Sequence, residues 1–287
     1  MSNQRTQLLD EGYCIIPNVL SSAFIAHLRE STDVLIDAMS QQERAAHRST
    51  GSMISVRKCE ACGELAGHRD LHMALKVLGF SDWRYTSSGY IISKPPHSPP
   101  LFWHFDWPAW DHPFSYGRMP AQLFIMVYLV ATSRRNGCLR VIPRSHVNEH
   151  PLHEIMGQAH SDELRQVSDP SLIEFQPHPD AVDVTVKAGD LVIGDSRLIH
   201  GAHGNGSDHR RTVITLWFHP NFSSLPQPIQ AFVAGGPRDE PDEMASWNPQ
   251  VRQRLYDLLP VYEGKEKPPT SSRERLSREA FFAKQHA

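Results

Sequence analysis

The sequence predicts a mainly β protein, a β-sandwich or jelly roll with flanking helices. Three observations carry that expectation. Short apolar runs of strand length recur between about residues 83 and 220, separated by Pro, Gly and Asn-Gly turn signals. Helical spacing is concentrated in an N-terminal section, about 21–80, and in a C-terminal extension, about 240–287. The chain has 287 residues, 40% of them hydrophobic, enough for one compact core, and we expect a single domain over 1–287. In a jelly roll, strands distant in sequence lie side by side, so a site can be assembled from remote segments.

Taken in order, Glu11–Leu20 reads as a short buried strand ending at Pro17. Ser21 or Ser22 then caps a helix whose apolar positions Phe24, Ile25, Leu28, Leu35, Ile36 and Met39 have helical spacing. Residues 41–58 are polar and basic and read as a loop or lid, and a second helix is expected over Asp70–Leu78. Tyr85–Lys94 has strand character and stops at Pro95-Pro96, and a further strand should carry His104. Ala121–Val130 is the most apolar run and the best candidate for a central strand. Asn136-Gly137 turns the chain into a strand over Cys138–Ile142. Residues 147–180 are polar and read as an insertion between strands. Val182–Val186, Leu191–Ile193 and Thr212–Phe218 are further strands, and Gln250–Leu259 and Arg273–Lys284 are helical candidates.

Composition narrows the function classes. A formal charge of −3 gives no reason to expect a nucleic acid or a membrane surface as partner. No apolar run approaches the roughly 18 residues of a bilayer span, and the first residues lack a signal-peptide core. Four cysteines are too few for a disulfide scaffold at this length, so a reducing cytoplasm is the expected location. With 17 histidines, none counts as a ligand merely by being present.

The chemistry gathers at Leu101–Trp107, where His104 and Asp106 stand two positions apart. On a strand they share a face, so an imidazole and a carboxylate converge. That is two thirds of the two-histidine, one-carboxylate triad of non-heme Fe(II) oxygenases. The bland alternative is a polar strand edge. His200 is the preferred third ligand because it terminates an apolar strand-like run, with His203, His209 and His219 competing. Three protein ligands leave positions for a co-substrate and O₂. If 2-oxoglutarate chelates the iron, its far carboxylate needs a buried cation, and arginine offers a two-pronged partner. Arg210 and Arg211 both stand in the right place, and alternation turns one inward and one outward.

Together these pieces resemble the phytanoyl-CoA dioxygenase family, which includes ectoine hydroxylase and other biosynthetic oxygenases. The resemblance rests on Glu11-Gly-Tyr, Lys94-Pro-Pro, Trp103-His-Phe-Asp106, Asn136 to Pro143 with Ser145-His146, Gly189-Asp190, and His200-Gly with Asn205 and Arg211. It spans roughly residues 8–220. It implies a double-stranded β-helix of cupin-like type, Fe(II) and 2-oxoglutarate as cofactor and co-substrate, and O₂ as oxidant. It also implies His104, Asp106 and His200 as ligands, and its spacing selects Arg211 over Arg210. The presence of Asp106 argues against a halogenase. Three positions depart from the family pattern. The usual hydroxyl two residues after the last histidine is Ala202 here, with Thr132 or Thr215 as substitutes. The usual turn glycine is Arg144, expected to face solvent. A glutamine common on the strand before the ligand pair is missing, leaving Ser88 as a contact.

The resulting expectation is an Fe(II)/2-oxoglutarate-dependent dioxygenase that oxidises, by hydroxylation, a small organic molecule in a biosynthetic pathway. Trp107, Trp110 and Lys94 are the candidate substrate contacts, while aromatic core packing is at least as good a reading for the neighbouring Trp103 and Phe105. The rival reading is a non-catalytic metal- or metabolite-binding β-barrel. A cupin-type hydrolase or isomerase is distinguished by whether Arg211 is needed. Cys59-x-x-Cys62 with His68 and His72 offers two thiols and two imidazoles for zinc. Reduced cysteines before a helix are the simpler reading.

Overall fold

The computed structural model describes residues 2–156, 160–235 and 243–285. The chain starts with α1 (Asn3–Glu11) and turns at Gly12, whose φ of 89° no L side chain adopts easily, into β1 (Tyr13–Ile16). Ser21 caps α2 (Ser22–Asp37), its hydroxyl accepting the Phe24 N–H, and the helix buries Ile25, Leu28, Thr32 and Ile36. α3 (Gln41–Ala46), β2 (Ile54–Ser55), α4 (Glu60–Ala66) and α5 (Arg69–Val77) follow, and then β3 (Arg84–Lys94) and β4 (Leu101–His104). The next strands are β5 (Leu123–Tyr128) and β6 (Leu139–Val141). A long connection holding α6 (Asp162–Gln166) leads to β7 (Val182–Val184), β8 (Leu191–Asp195), β9 (His200–Ala202) and β10 (Arg211–His219). α7 (Gln227–Ala234), α8 (Pro249–Leu258) and α9 (Arg278–Gln285) complete the described chain.

Six strands form one sheet in the order β1-β8-β5-β10-β3-β2, and four form another in the order β4-β9-β6-β7. All named pairings are antiparallel. β5 shows why its run is apolar throughout. Leu123, Ile125 and Val127 join the core shared with the N-terminal helices, while Phe124, Met126 and Tyr128 join a core with Leu139, Val141 and Val184 of the second sheet. Both faces of the strand are therefore buried, each large side chain contributing about 1.5–3 kcal/mol. This is the jelly-roll architecture expected from the sequence.

Several expectations are corrected. Residues 41–58 are not an irregular loop. Ser40 and Glu43 make a capping box that starts α3, and Ile54-Ser55 adds an edge strand to β3. β4 stops at His104, so Asp106 lies beyond the strand. The apolar run leading to His200 is split. β8 ends at Asp195, a turn follows, and His200 opens β9. Helices α4 and α7 were not expected, and Arg273 belongs to an extended strap rather than to the last helix. No helix of the described residues is long and apolar enough to cross a membrane.

Candidate metal centre

The register of β4 against β9 sets His104 opposite His200, with ring centroids 4.2 Å apart. Each ring is oriented by its own backbone. His104 Nδ1–H donates to the Phe102 carbonyl at 3.1 Å, and His200 Nδ1–H to the Leu198 carbonyl at 3.0 Å. A carbonyl only accepts, so both protons sit on Nδ1 and both Nε2 atoms carry a free lone pair. Those atoms face one carboxylate, His104 Nε2 at 3.7 Å from Asp106 Oδ1 and His200 Nε2 at 3.8 Å from Oδ2. Burial holds the His104 pKa well below its ordinary value, assisted by His200 and His160. The ring is thus neutral, which is the ligating form.

Asp106 is placed by a loop rather than by strand alternation. Its N–H and that of Trp107 both donate to the Ser196 carbonyl, at 2.8 and 2.9 Å. Trp217 Nε1–H donates to Asp106 Oδ2 at 2.9 Å. The turn carrying Ser196 is fixed by a buried Asp195–Arg197 ion pair at 2.6 Å, and Arg197 also donates to the Ser115 carbonyl at 2.9 Å. The Ser145 hydroxyl accepts the Ile199 N–H at 2.9 Å, steadying the residue before His200. Atoms bound to one octahedral ion at about 2.1 Å lie roughly 3 Å apart when adjacent and about 4.2 Å apart when opposite. The three ligands of a facial set are mutually adjacent, and both measured separations exceed the adjacent value by less than about 1 Å, so small side-chain rotations would bring these groups onto one ion.

The competing histidines are engaged elsewhere. His203 Nε2 meets Asp183 at 2.6 Å, His209 is exposed, and His219 Nδ1 donates to the Ala121 carbonyl at 3.0 Å. Another imidazole is present that sequence reasoning passed over. His160 offers a ring nitrogen within 4.8 Å of both His104 and Asp106. It lies in the polar insertion, where nothing in the local pattern marks it. Trp217, also missed, was accessible, because alternation from Arg211 places Val213, Thr215 and Trp217 on one face.

Arg211 is 2% exposed, and burial pushes its pKa down. Its guanidinium lies 5.3 Å from the Tyr128 ring centroid, and its Nε is buried with no hydrogen-bond partner. Among the described residues no carboxylate pairs with it. Arg210 faces the other way, 2.6 Å from Asp37. Thr215 Oγ1, on the inward face of β10, is likewise buried and unpartnered. A buried cation and hydroxyl without partners call for an anion. A dicarboxylate chelating the metal near Asp106 and reaching Arg211 suits them.

The remaining candidates have other roles. The Thr132 hydroxyl accepts the Val186 N–H at 2.9 Å and closes a loop. Ser88 is exposed in the bulge of β3 opposite Trp217, rather than beside Arg211. Trp107 and Trp110 are each 1% exposed, packed in a core cluster with Tyr116 and Phe281. Lys94 is buried opposite Arg211, its Nζ donating to the Ser49 and Pro99 carbonyls at 2.5 Å, and burial holds its pKa well below the ordinary value. Asn205 ties the same region together, donating to the Lys94 and Pro95 carbonyls at 3.1 Å. Cys59 and Cys62 are buried and hydrogen-bonded to each other. That bond draws the Cys59 pKa down to about 7 and pushes that of Cys62 well up. His68 caps α5 and His72 meets the Ala66 carbonyl, so the four groups form no tetrahedral zinc site.

A jelly roll holding two histidines and an aspartate, with a buried arginine nearby, defines the 2-oxoglutarate-dependent non-heme iron oxygenases as a class. The phytanoyl-CoA dioxygenase (PhyH) family pattern matches residues 8–213. The chain belongs to that family, and is an Fe(II)/2-oxoglutarate-dependent dioxygenase. It is 29% identical over 234 residues, 76% of each chain, to the ectoine dioxygenase of Sphingopyxis alaskensis. It is 25% identical over 264 residues, 83% of each chain, to the ectoine dioxygenase of Nocardia farcinica. Among solved structures, HygX from Streptomyces hygroscopicus with nickel and 2-oxoglutarate bound matches with a TM-score of 0.57 at 18% identity, over 77% of this chain and 88% of that one. The α-ketoglutarate-dependent epimerase SnoN from nogalamycin biosynthesis matches with a TM-score of 0.55 at 20% identity, over 94% of this chain and 95% of that one. These structural likenesses show the shared fold.

Proposed function

We propose that His104, Asp106 and His200 hold Fe(II), that Arg211 and Thr215 receive the far carboxylate of 2-oxoglutarate, and that the enzyme hydroxylates a small organic molecule. The observation that carries the ligand assignment is the convergence of two Nε2 lone pairs on Asp106 at 3.7 and 3.8 Å. With iron, 2-oxoglutarate and O₂ bound, the centre couples conversion of 2-oxoglutarate to succinate and CO₂ to oxidation of a substrate C–H bond. The chain's own contribution is geometry and exclusion of water. The Phe102 and Leu198 carbonyls orient the imidazoles, Trp217 and the Ser196 carbonyl orient Asp106, and Arg211 supplies charge in a dry site. The relatives named ectoine dioxygenase support a small, freely diffusing substrate. The fold is shared with an epimerase, so the class of product depends on which substrate hydrogen the site presents.

The test is metal binding and succinate release in three variants. His104→Ala and Asp106→Ala should lose bound Fe(II) and 2-oxoglutarate turnover, while His203→Ala keeps both. Metal retained in His104→Ala and lost in His203→Ala overturns the assignment.

A further inference from the structure

His160 stands at the metal centre but is not part of the three-residue ligand set. It lies between β6 and β7, and its φ of 73° places a non-glycine residue in the left-handed region. Its ring meets the His104 ring edge-on at 5.0 Å and the Phe102 ring at 5.4 Å. Its Nε2 is buried without a hydrogen-bond partner, a state that is costly unless a donor or a metal ion takes the lone pair, or an acceptor the proton. One of its ring nitrogens lies within 4.8 Å of both a ring nitrogen of His104 and a carboxylate oxygen of Asp106. A shift of a few tenths of an ångström brings that spacing to the roughly 4.2 Å or less of atoms sharing one octahedral ion.

We propose that His160 is a fourth, displaceable protein ligand of the iron in the resting enzyme. The inference rests on the ligand assignment above and adds to it. Four protein ligands and a two-point chelate fill six positions, so O₂ finds a place only once His160 has withdrawn. The residue is suited to withdrawal. It is carried on a connection between strands, whereas His104 and His200 are fixed by strand register. The device would hold the metal in a saturated shell and restrain oxidation of 2-oxoglutarate without substrate.

Substitution of Co(II) for Fe(II) tests this without any turnover. Each ligated imidazole keeps one solvent-exchangeable N–H, which the paramagnetic ion shifts far outside the ordinary proton NMR range. Without 2-oxoglutarate, three such signals are expected in the wild-type protein and two in His160→Gln. Two in the wild type would overturn the proposal while leaving the three-residue assignment intact, and this needs no variant to fold. Three signals that all survive in a folded His160→Gln would also overturn it. Absence of any shifted imidazole signal from cobalt-loaded protein would instead remove the ligand assignment itself, and the proposal with it.

Discussion

Trp217 donates its indole N–H to Asp106 Oδ2 across 2.9 Å, and it does so from the strand whose first residue is Arg211. One strand therefore reaches both ends of the proposed site, Asp106 through Trp217 and the buried cation through Arg211 itself. Trp217→Phe keeps an aromatic ring but deletes the donor. Metal affinity should fall about tenfold, as with other partners of ligating groups. Isothermal titration with Ni(II) measures it, and an unchanged affinity would mean that the Ser196 backbone contacts alone hold Asp106.

Thr215→Val and Thr132→Val separate the two hydroxyls that could replace the one missing at Ala202. Thr215 Oγ1 is buried and unpartnered, whereas Thr132 Oγ1 is occupied by the Val186 N–H. A hydrogen bond to a charged group is worth about 1.5–3 kcal/mol, so Thr215→Val should weaken 2-oxoglutarate binding by roughly tenfold or more. Thr132→Val should lower the melting temperature and leave that binding intact. Equilibrium titration of 2-oxoglutarate into both metal-loaded variants distinguishes the two.

Much of this was legible in the sequence. His104, His200 and Arg211 are approximately where their motifs put them, because strand register rather than loop conformation fixes them. Trp107 and Trp110 pack into an apolar core that the sequence does not reveal, because the chain leaves β4 at His104 and alternation no longer says which way they face. Asp106 faces both imidazoles for a reason other than strand alternation, two backbone bonds to Ser196 across a turn that the unbroken apolar run conceals. His160 gave no signal, since its role depends on where an insertion lands. The capping box of Ser40 and Glu43 is visible in the sequence itself, at the start of the stretch that reads as a loop.

Arg144 replaces the turn glycine usual in the family and sits at a φ of 69° with its side chain 62% exposed. Left-handed backbone costs a non-glycine residue about 1 kcal/mol. Arg144→Gly should therefore raise stability by up to about 1 kcal/mol, or roughly 1–3 °C in melting temperature for a chain of this size. Differential scanning calorimetry decides it, with 2-oxoglutarate turnover unchanged.

His219 is 3% exposed, and burial pushes its pKa down to about 4. The folded protein keeps this ring neutral while the unfolded chain protonates near pH 6.5. Its contribution is therefore fully present above pH 6.5 and is lost as pH falls towards 4. Between pH 7 and pH 5 that loss is about 2 kcal/mol. Urea denaturation of His219→Gln should show a correspondingly smaller drop between those pH values than the wild type. Equal drops would mean that the ring takes up its proton in the folded state as readily as in the unfolded chain.

The most direct test of the central claim is an anaerobic titration of the apo-protein with Fe(II) and 2-oxoglutarate, comparing wild type and Arg211→Ala. The wild type should develop a weak visible metal-to-ligand charge-transfer band, and the variant a band that needs far more 2-oxoglutarate. Folded, iron-loaded wild-type protein that develops no band would contradict it, and a variant that titrates like the wild type would remove Arg211 from the co-substrate site.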